Sequence, residues 1–235
     1  MFTKKVIIGS NDIDANLNLR IANFMLIVQD VIMDHTEELH IGKKETIDKG
    51  IIWVVTRLSL EITRLPKYQE EIVIKTYPGE TKSFFYPRYL FVEDMNGNVI
   101  IKLSSIWTLL DKNTRMVVLN KDIASRCVEE HHDGELPLPE KVDINDSLGI
   151  KETRTVHYHE VDLNGHLNFT KYLEFILDLH DNDFYAKTPV KSLILNFAKE
   201  IKENQIINVL SNDSNPEQVK ISSSNGDHLF AIIKY

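Results

Sequence analysis

Within the stretch HEVDLNGHLNFTKYLEF, residues 159–175, Asp162, Asn164 and His166 stand at every second position directly ahead of residues with helical spacing. An imidazole titrates near neutral pH, and a helix N-terminus supplies unpaired backbone N–H groups and a partial positive charge. Together they suit polarising a carbonyl or stabilising an oxyanion. Gly165 lets a ligand approach the backbone with no Cβ in the way. Asn164 can hydrogen-bond a substrate carbonyl or a water, and Asp162 can orient its neighbours. Glu200, on a strand expected after the helix, is the best candidate for a carboxylate that meets this group in space. A plainer reading competes: Asp and Asn ahead of a helix are ordinary capping residues, and Asn-Gly is an ordinary turn. On this stretch alone both readings stay open.

Other residues carry weaker signals. The run EEHHD at 129–133 has metal-ligand types, but adjacent histidines in an acidic linker are usually solvated, so no metal site is expected. His157 and His159 alternate along an expected strand with Tyr158 between them, facing solvent or a polar neighbour. Cys127 is the one cysteine; it has no intrachain disulfide partner, and its acidic neighbours disfavour the thiolate. There is no phosphate loop, no dinucleotide glycine pattern and no G-x-S-x-G elbow, and no cofactor is expected. Trp53 and Trp107 lie in expected strands and read as core.

The 235 residues can hold one large domain or two smaller ones. A hydrophobic fraction of 43% and a charged fraction of 26% describe a folded globular chain. With 27 basic against 35 acidic side chains the net charge is -8, which argues against a broad nucleic acid surface. The longest apolar run of the first helical region, Phe24 to Val28, is far too short to span a membrane, so no membrane insertion is expected. Only three apolar residues follow the basic pair in MFTKKVIIGS, too few for a signal peptide, and a cytosolic location is expected.

The elements that must position these residues occur twice. A short strand at Lys5 to Ile8 precedes a helical pattern from about Leu17 to Leu39. Ile21, Phe24, Met25, Val28, Val31 and Ile32 keep the helical period, while Leu26, Ile27 and Met33 fill other faces, so this helix is expected to be buried on most sides. Strand patterns follow at 51–64, 70–79, 84–94 and 98–111, the last two joined by an Asn96-Gly97 hairpin turn. This is an α+β layout. From about Leu136 the segment LPLPEKVDINDSLG reads as a linker. A strand at 151–159, a helix from about Leu167 to Leu179 and four more strands then repeat the order.

Aligning the two helix approaches sets Asp14 on Asp162, Asn16 on Asn164, Leu19 on Leu167, Phe24 on Tyr172 and Asp30 on Asp178, which identifies a duplicated unit. Asn18 stands where the second copy has His166, so only the second copy carries the imidazole. Glu61 in LSLEITR is set against Glu200 in NFAKEIK, giving each half a carboxylate.

Three segments of the chain resemble the acyl-acyl carrier protein thioesterases of plants and bacteria. WVVTRLSLEITRLPKYQEEIVIKTYP is similar to the family's first strand pair, and FFYPRYLFVEDMNGNVIIKLSSIWTLLDKNTR to its next hairpin. EVDLNGHLNFTKYLEFILD matches the D-x-N-x-H-x-N and K-Y segment that holds the family's catalytic residues. The resemblance runs in order through nearly the whole chain. It implies a tandem double hotdog, two long helices each wrapped by an antiparallel β-sheet. On this division, residues 1–135 form an N-terminal hotdog that lacks the catalytic histidine and borders the acyl chain, 136–150 a linker, and 151–235 the catalytic hotdog. The implied activity is hydrolysis of the thioester of fatty acyl-acyl carrier protein, with Asp162, Asn164, His166 and Glu200 as the catalytic set. The plant pattern has a cysteine after the glutamate; here that place is Ile201, so a covalent cysteine mechanism is not expected. The implied partner is an acyl carrier protein bearing a fatty acyl chain, and the sequence leaves room for a homodimer. An acyl-CoA thioesterase and a non-catalytic acyl-binding hotdog protein are the alternatives; a dehydratase is disfavoured because nothing here indicates a partner for a substrate hydroxyl.

Overall fold

The computed structural model describes residues 1–127, 132, 134–144 and 147–235. The first half runs β1 (Phe2–Ile7), α1 (Ile21–Glu38), β2 (Ile51–Ile62), β3 (Glu71–Pro78), β4 (Tyr86–Asp94), β5 (Val99–Asp111) and a short α2 (Lys121–Arg126). The second runs β6 (Gly149–Thr155), α3 (Phe169–Leu177), α4 (Asn182–Lys187), β7 (Ser192–Phe197), β8 (Ile206–Ser211), β9 (Glu217–Ser223) and β10 (Gly226–Lys234). All ten strands belong to one sheet, in the order β1-β3-β4-β5-β2-β7-β10-β9-β8-β6. Read outward from the centre, the two halves have the same strand order. They join where β2 and β7 pair antiparallel, from Arg57 opposite Asn196 to Glu61 opposite Ser192.

Helix α1 begins at Ile21, later than the apolar period alone indicates. Residues 14–19 are held in a turn instead, with Leu17 at φ 61 and the Asp14 carboxylate accepting from the backbone N–H groups of Asn16 and Asn18. Phe24, Met25, Val28, Val31 and Ile32 are buried as their spacing requires, but Leu26 and Met33 are 39% and 40% exposed. The helix therefore buries one stripe and not most of its sides. The second long helix is shorter than expected. It starts at Phe169 because Asn168 caps it, its side-chain oxygen accepting from the Thr170 N–H at 3.0 Å, and Asp178 closes it. Both α2 and α4 were absent from the sequence reading; each is a six-residue helix capped by a polar side chain, Asn120 and Asp181.

The strand expected at 151–159 stops at Thr155, and His157 and His159 lie in a single 3-10 turn beyond it. Asn96-Gly97 makes the expected hairpin, with Gly97 at φ 83 and the Asp94 carboxylate accepting from Asn96 and Asn98 N–H groups. Between α2 and β6, residues 136–144 form no strand and no helix, yet they are pinned to the sheet. Ser104 Oγ donates to the Pro137 carbonyl at 2.7 Å, the Asn196 amide donates to the Glu140 carbonyl at 3.2 Å, and Asn196 Oδ1 accepts from the Val142 N–H. One core runs through both halves, with Phe24 and Val28 of α1, Leu173 and Ile176 of α3, Leu60 and Leu103, and Leu195 and Ile233 in a single cluster. Among the described residues no helix is long and apolar enough to cross a membrane.

Leu173 has no exposed surface, so Leu173→Ala is expected to lower the unfolding free energy by about 2–5 kcal/mol in urea denaturation. Ile150→Ala, at a residue 60% exposed, should change it by less than about 0.5 kcal/mol.

Candidate active site

The turn before α3 repeats the turn before α1 in the hydrogen bonds of its backbone N–H groups. The Asp162 N–H donates to the His166 carbonyl at 2.7 Å and the Gly165 N–H to the Asp162 carbonyl at 2.9 Å; the Asp14 and Leu17 N–H groups do the same in the first copy. Asp162 Oδ1 accepts from the Asn164 N–H at 2.7 Å and the His166 N–H at 3.4 Å, as Asp14 Oδ1 accepts from Asn16 and Asn18. Asp162 thus closes a turn and does not cap the helix. Gly165, at φ 75, occupies the left-handed position that Leu17 fills at φ 61. The space where a Cβ would stand is open, and both neighbours, Asn164 and His166, line the cavity described below.

His166 and Glu200 meet across this turn. His166 pairs in an isolated bridge with Lys202, and the Leu167 N–H donates to the Ile201 carbonyl at 2.8 Å, drawing the segment after β7 against the turn. His166 Nε2 then lies 3.4 Å from Glu200 Oε2. Glu200 is beyond the end of β7, which closes at Phe197, and not on a strand. The first copy has the same contacts, Asn18 bridging Lys67 and the Leu19 N–H donating to the Pro66 carbonyl. Counting back from these pairs, the position matching Glu200 is Leu65. Glu61 is four residues away inside β2, opposite Lys102 and Ser192. The sequence pairing of Glu61 with Glu200 is therefore out of register, and the first copy lacks the carboxylate as well as the imidazole.

A third residue completes the group, and it comes from the first half. Arg115 Nε donates to Glu200 Oε2 at 3.0 Å, Nη2 contacts Glu200 Oε1, and the same Nη2 lies 3.2 Å from His166 Nδ1. Arginine has no acceptor, so Nδ1 must accept and the neutral imidazole carries its proton on Nε2. Burial lowers the His166 pKa below its ordinary value, the Arg115 and Lys202 charges push it the same way, and Asp162 opposes them. Sequence reasoning did not single out Arg115: its Thr-Arg pair follows a strand 85 residues from Glu200, and no local pattern joins them.

Asp162, Asn164, His166 and Glu200 line a cavity of about 590 Å³ that opens between the two halves. Its wall includes Ile52, Trp53, Tyr86, Trp107, Phe169 and Phe197, and both tryptophans, read as core from sequence, are half-buried on this wall. Asn164 Oδ1 is buried and has no hydrogen-bond partner among the described residues, an unmet acceptor at the cavity. The helix amide of Thr170 is already taken by Asn168. Cys127 also lines the cavity, and burial pushes its thiol pKa up, so it is a poor nucleophile for a reason that its sequence neighbours did not supply. Of the EEHHD run, Glu129, Glu130, His131 and Asp133 lie outside the described residues; the His132 N–H donates to Glu135. An imidazole, a carboxylate and an unmet amide oxygen beside an apolar cavity can activate water against an acyl group carried on a long apolar chain.

Comparison with known proteins matches residues 1–126 to the acyl-ACP thioesterase N-terminal domain and residues 145–232 to the acyl-ACP thioesterase C-terminal domain. Among curated relatives, the acyl-[acyl-carrier-protein] hydrolase FATB3, chloroplastic, of Cuphea viscosissima is 22% identical over 219 residues, which is 88% of this chain and 53% of that protein. The chain spans about half the length of the curated relatives it matches. Among solved structures, an acyl-ACP thioesterase from Bacteroides thetaiotaomicron superposes with a TM-score of 0.86 at 22% identity, covering 99% of this chain and 96% of the other. The 12:0-ACP thioesterase from Umbellularia californica gives 0.85 at 18% identity, with 99% and 96% covered. The fold is the tandem double hotdog expected from the sequence.

Because burial and two cations oppose its protonation, the His166 ring is expected to titrate below the ordinary histidine value of 6.5 in NMR of the free protein. A midpoint at or above that value contradicts the described electrostatics.

Proposed function

The chain belongs to the acyl-ACP thioesterase family, and on that premise we propose that it hydrolyses the thioester joining a fatty acyl chain to the phosphopantetheine arm of acyl carrier protein, releasing free fatty acid. The observation that carries this reading is the approach of His166 Nε2 and Glu200 to 3.4 Å on the wall of a largely apolar cavity of about 590 Å³. In this division of work residues 1–135 border the acyl chain together with Phe169 and Phe197, residues 151–235 hold the reacting groups, and the connecting segment, expected over 136–150, gives way to β6 at Gly149. The cytosol is the compartment proposed with it, on the sequence reading alone.

In the mechanism we infer, the Asn164 amide turns its buried Oδ1 toward the cavity to accept one O–H of a water while Glu200 takes the other proton, so that the water oxygen attacks the thioester carbonyl carbon. The His166 Nε2–H donates to the carbonyl oxygen as it gains charge. Asp162 holds Asn164 and His166 through its turn hydrogen bonds. Collapse of the tetrahedral adduct breaks the C–S bond, and the proton held by Glu200 passes to the leaving thiolate. Neutral histidine is the form that donates here, and the lowered His166 pKa keeps it in that form at neutral pH.

Acyl carrier protein is acidic, and this chain has net charge -8, so docking needs local cations. Lys43, Lys199 and Lys202 are exposed and line the cavity, and supply cations that meet acidic carrier protein or the phosphates of coenzyme A alike, so the preference for the carrier protein rests on the family membership.

Steady-state hydrolysis of acyl carrier protein and CoA thioesters across chain lengths and salt concentrations tests the reading. Turnover is expected with the carrier protein favoured and its kcat/KM falling as salt rises. Glu200→Ala and His166→Ala should each lower kcat by about 10²–10⁴. Full activity in either variant removes that residue from the mechanism, and retained fatty acid with no turnover supports the non-catalytic alternative.

A further inference from the structure

We propose that Arg115 is a positioning residue of this site: supplied by the N-terminal half, its guanidinium sets the orientation of the Glu200 carboxylate and the tautomer of His166. The proposal rests on the hydrolase reading for its kinetic consequences, and on geometry alone for its structural ones. Arg115 Nε and Nη2 reach both Glu200 oxygens, and Nη2 also reaches His166 Nδ1 at 3.2 Å. A guanidinium is a rigid planar fork, so two of its edges fix a carboxylate plane and a ring edge at once; a lysine ammonium carries the charge without that geometry. With Nδ1 occupied, the His166 proton is confined to Nε2, the nitrogen that faces Glu200.

The backbone beneath Arg115 is built to present it. Asp111, the last residue of β5, accepts from the N–H groups of Asn113 at 3.0 Å and Thr114 at 2.7 Å and from the Thr114 hydroxyl at 3.0 Å. The Arg115 N–H donates to the Asp111 carbonyl, and the chain returns along β5 through the Val118 N–H bonded to Leu109. At the tip, Arg115 sits at φ 61, a left-handed conformation costly for a side chain of its size, which persists where surrounding contacts over-determine it. The charged groups facing His166 are Arg115 from this turn, Asp162 from its own turn, and Glu200 and Lys202 from the segment after β7. Arg115 touches no reacting atom in this arrangement. It acts through Glu200 and His166, and it makes the hydrolytic site dependent on the half that lacks both.

The test uses the full chain with Arg115→Ala and Arg115→Lys, each checked for folding by thermal unfolding. In ¹⁵N-resolved NMR of the His166 ring without substrate, the wild type is expected in the Nε2–H tautomer. Arg115→Ala should mix the tautomers and raise the titration midpoint, since a cation that opposes protonation is gone. In hydrolysis, Arg115→Ala should lower kcat by about 100-fold with KM changed by less than about 3-fold, and its acid limb should move to higher pH. Added guanidinium ion should restore part of kcat to Arg115→Ala. Arg115→Lys, which keeps the charge, should leave the acid limb near its wild-type place while kcat stays depressed. Unchanged tautomer and midpoint in Arg115→Ala, or unchanged kcat beside an active wild type, overturns the proposal. If Arg115→Ala fails to fold, Arg115→Lys decides by the same kcat and tautomer readouts. An inactive wild type sinks the hydrolase reading, while the NMR arm still decides the role of Arg115.

Discussion

The antiparallel pairing of β2 with β7 holds the two halves of the molecule in register. Arg57 to Glu61 lie opposite Asn196 to Ser192, and this seam turns two five-stranded arrays into one ten-stranded sheet. It sets α1 and α3 against each other over a single core, and it brings Trp107 of β5 to within 6.3 Å of the Phe169 ring at the start of α3. The turn after β5 is thereby brought within reach of the segment after β7. Asn196, buried on the seam, also holds the chain that links the halves, donating to Glu140 and accepting from Val142. A cavity between the halves exists because the sheet is continuous there.

Duplication explains the site's scaffold, and divergence explains its chemistry. Asp14 and Asp162 close the same turn with the same hydrogen bonds, so that carboxylate belongs to the architecture of both copies. On this shared frame the second copy has His166 for Asn18 and Glu200 for Leu65. The first copy, freed of those residues, contributes Arg115 and much of the cavity wall. Two helix-and-sheet units that differ at a few positions thus make one asymmetric site.

Much of this was legible in the sequence. Both long helices, all ten strands, the Asn96-Gly97 hairpin and the repeat could be read because apolar period and turn chemistry are local. Element ends were less legible: nothing in the apolar pattern says that Leu17 turns left-handed or that Asn168 and not Asp162 caps α3. The match of Glu61 to Glu200 went wrong because both stand in similar apolar–acidic surroundings, and only the backbone contacts of Lys67 and Lys202 fix the register. His166 stood out because a single difference between copies exposes a residue that common architecture cannot explain. Arg115 did not, since its contacts are set by the seam and not by neighbours in the chain. The two tryptophans pack against the core as expected and line the cavity as well, which no local signature shows: a strand residue that borders a cavity reads like one that faces only the core.

In the proposed site an acyl chain lies in the cavity between the halves with its thioester at His166 and Glu200. The most direct measurement is a crystal structure of the protein with an acyl thioether analogue of the phosphopantetheine arm, in which the scissile bond cannot break. The chain is expected between the walls that carry Trp53 and Trp107, with the atoms replacing the thioester in contact with His166 Nε2 and the Glu200 carboxylate. An acyl chain seated elsewhere, or one in this cavity with its head group directed away from His166, would contradict it.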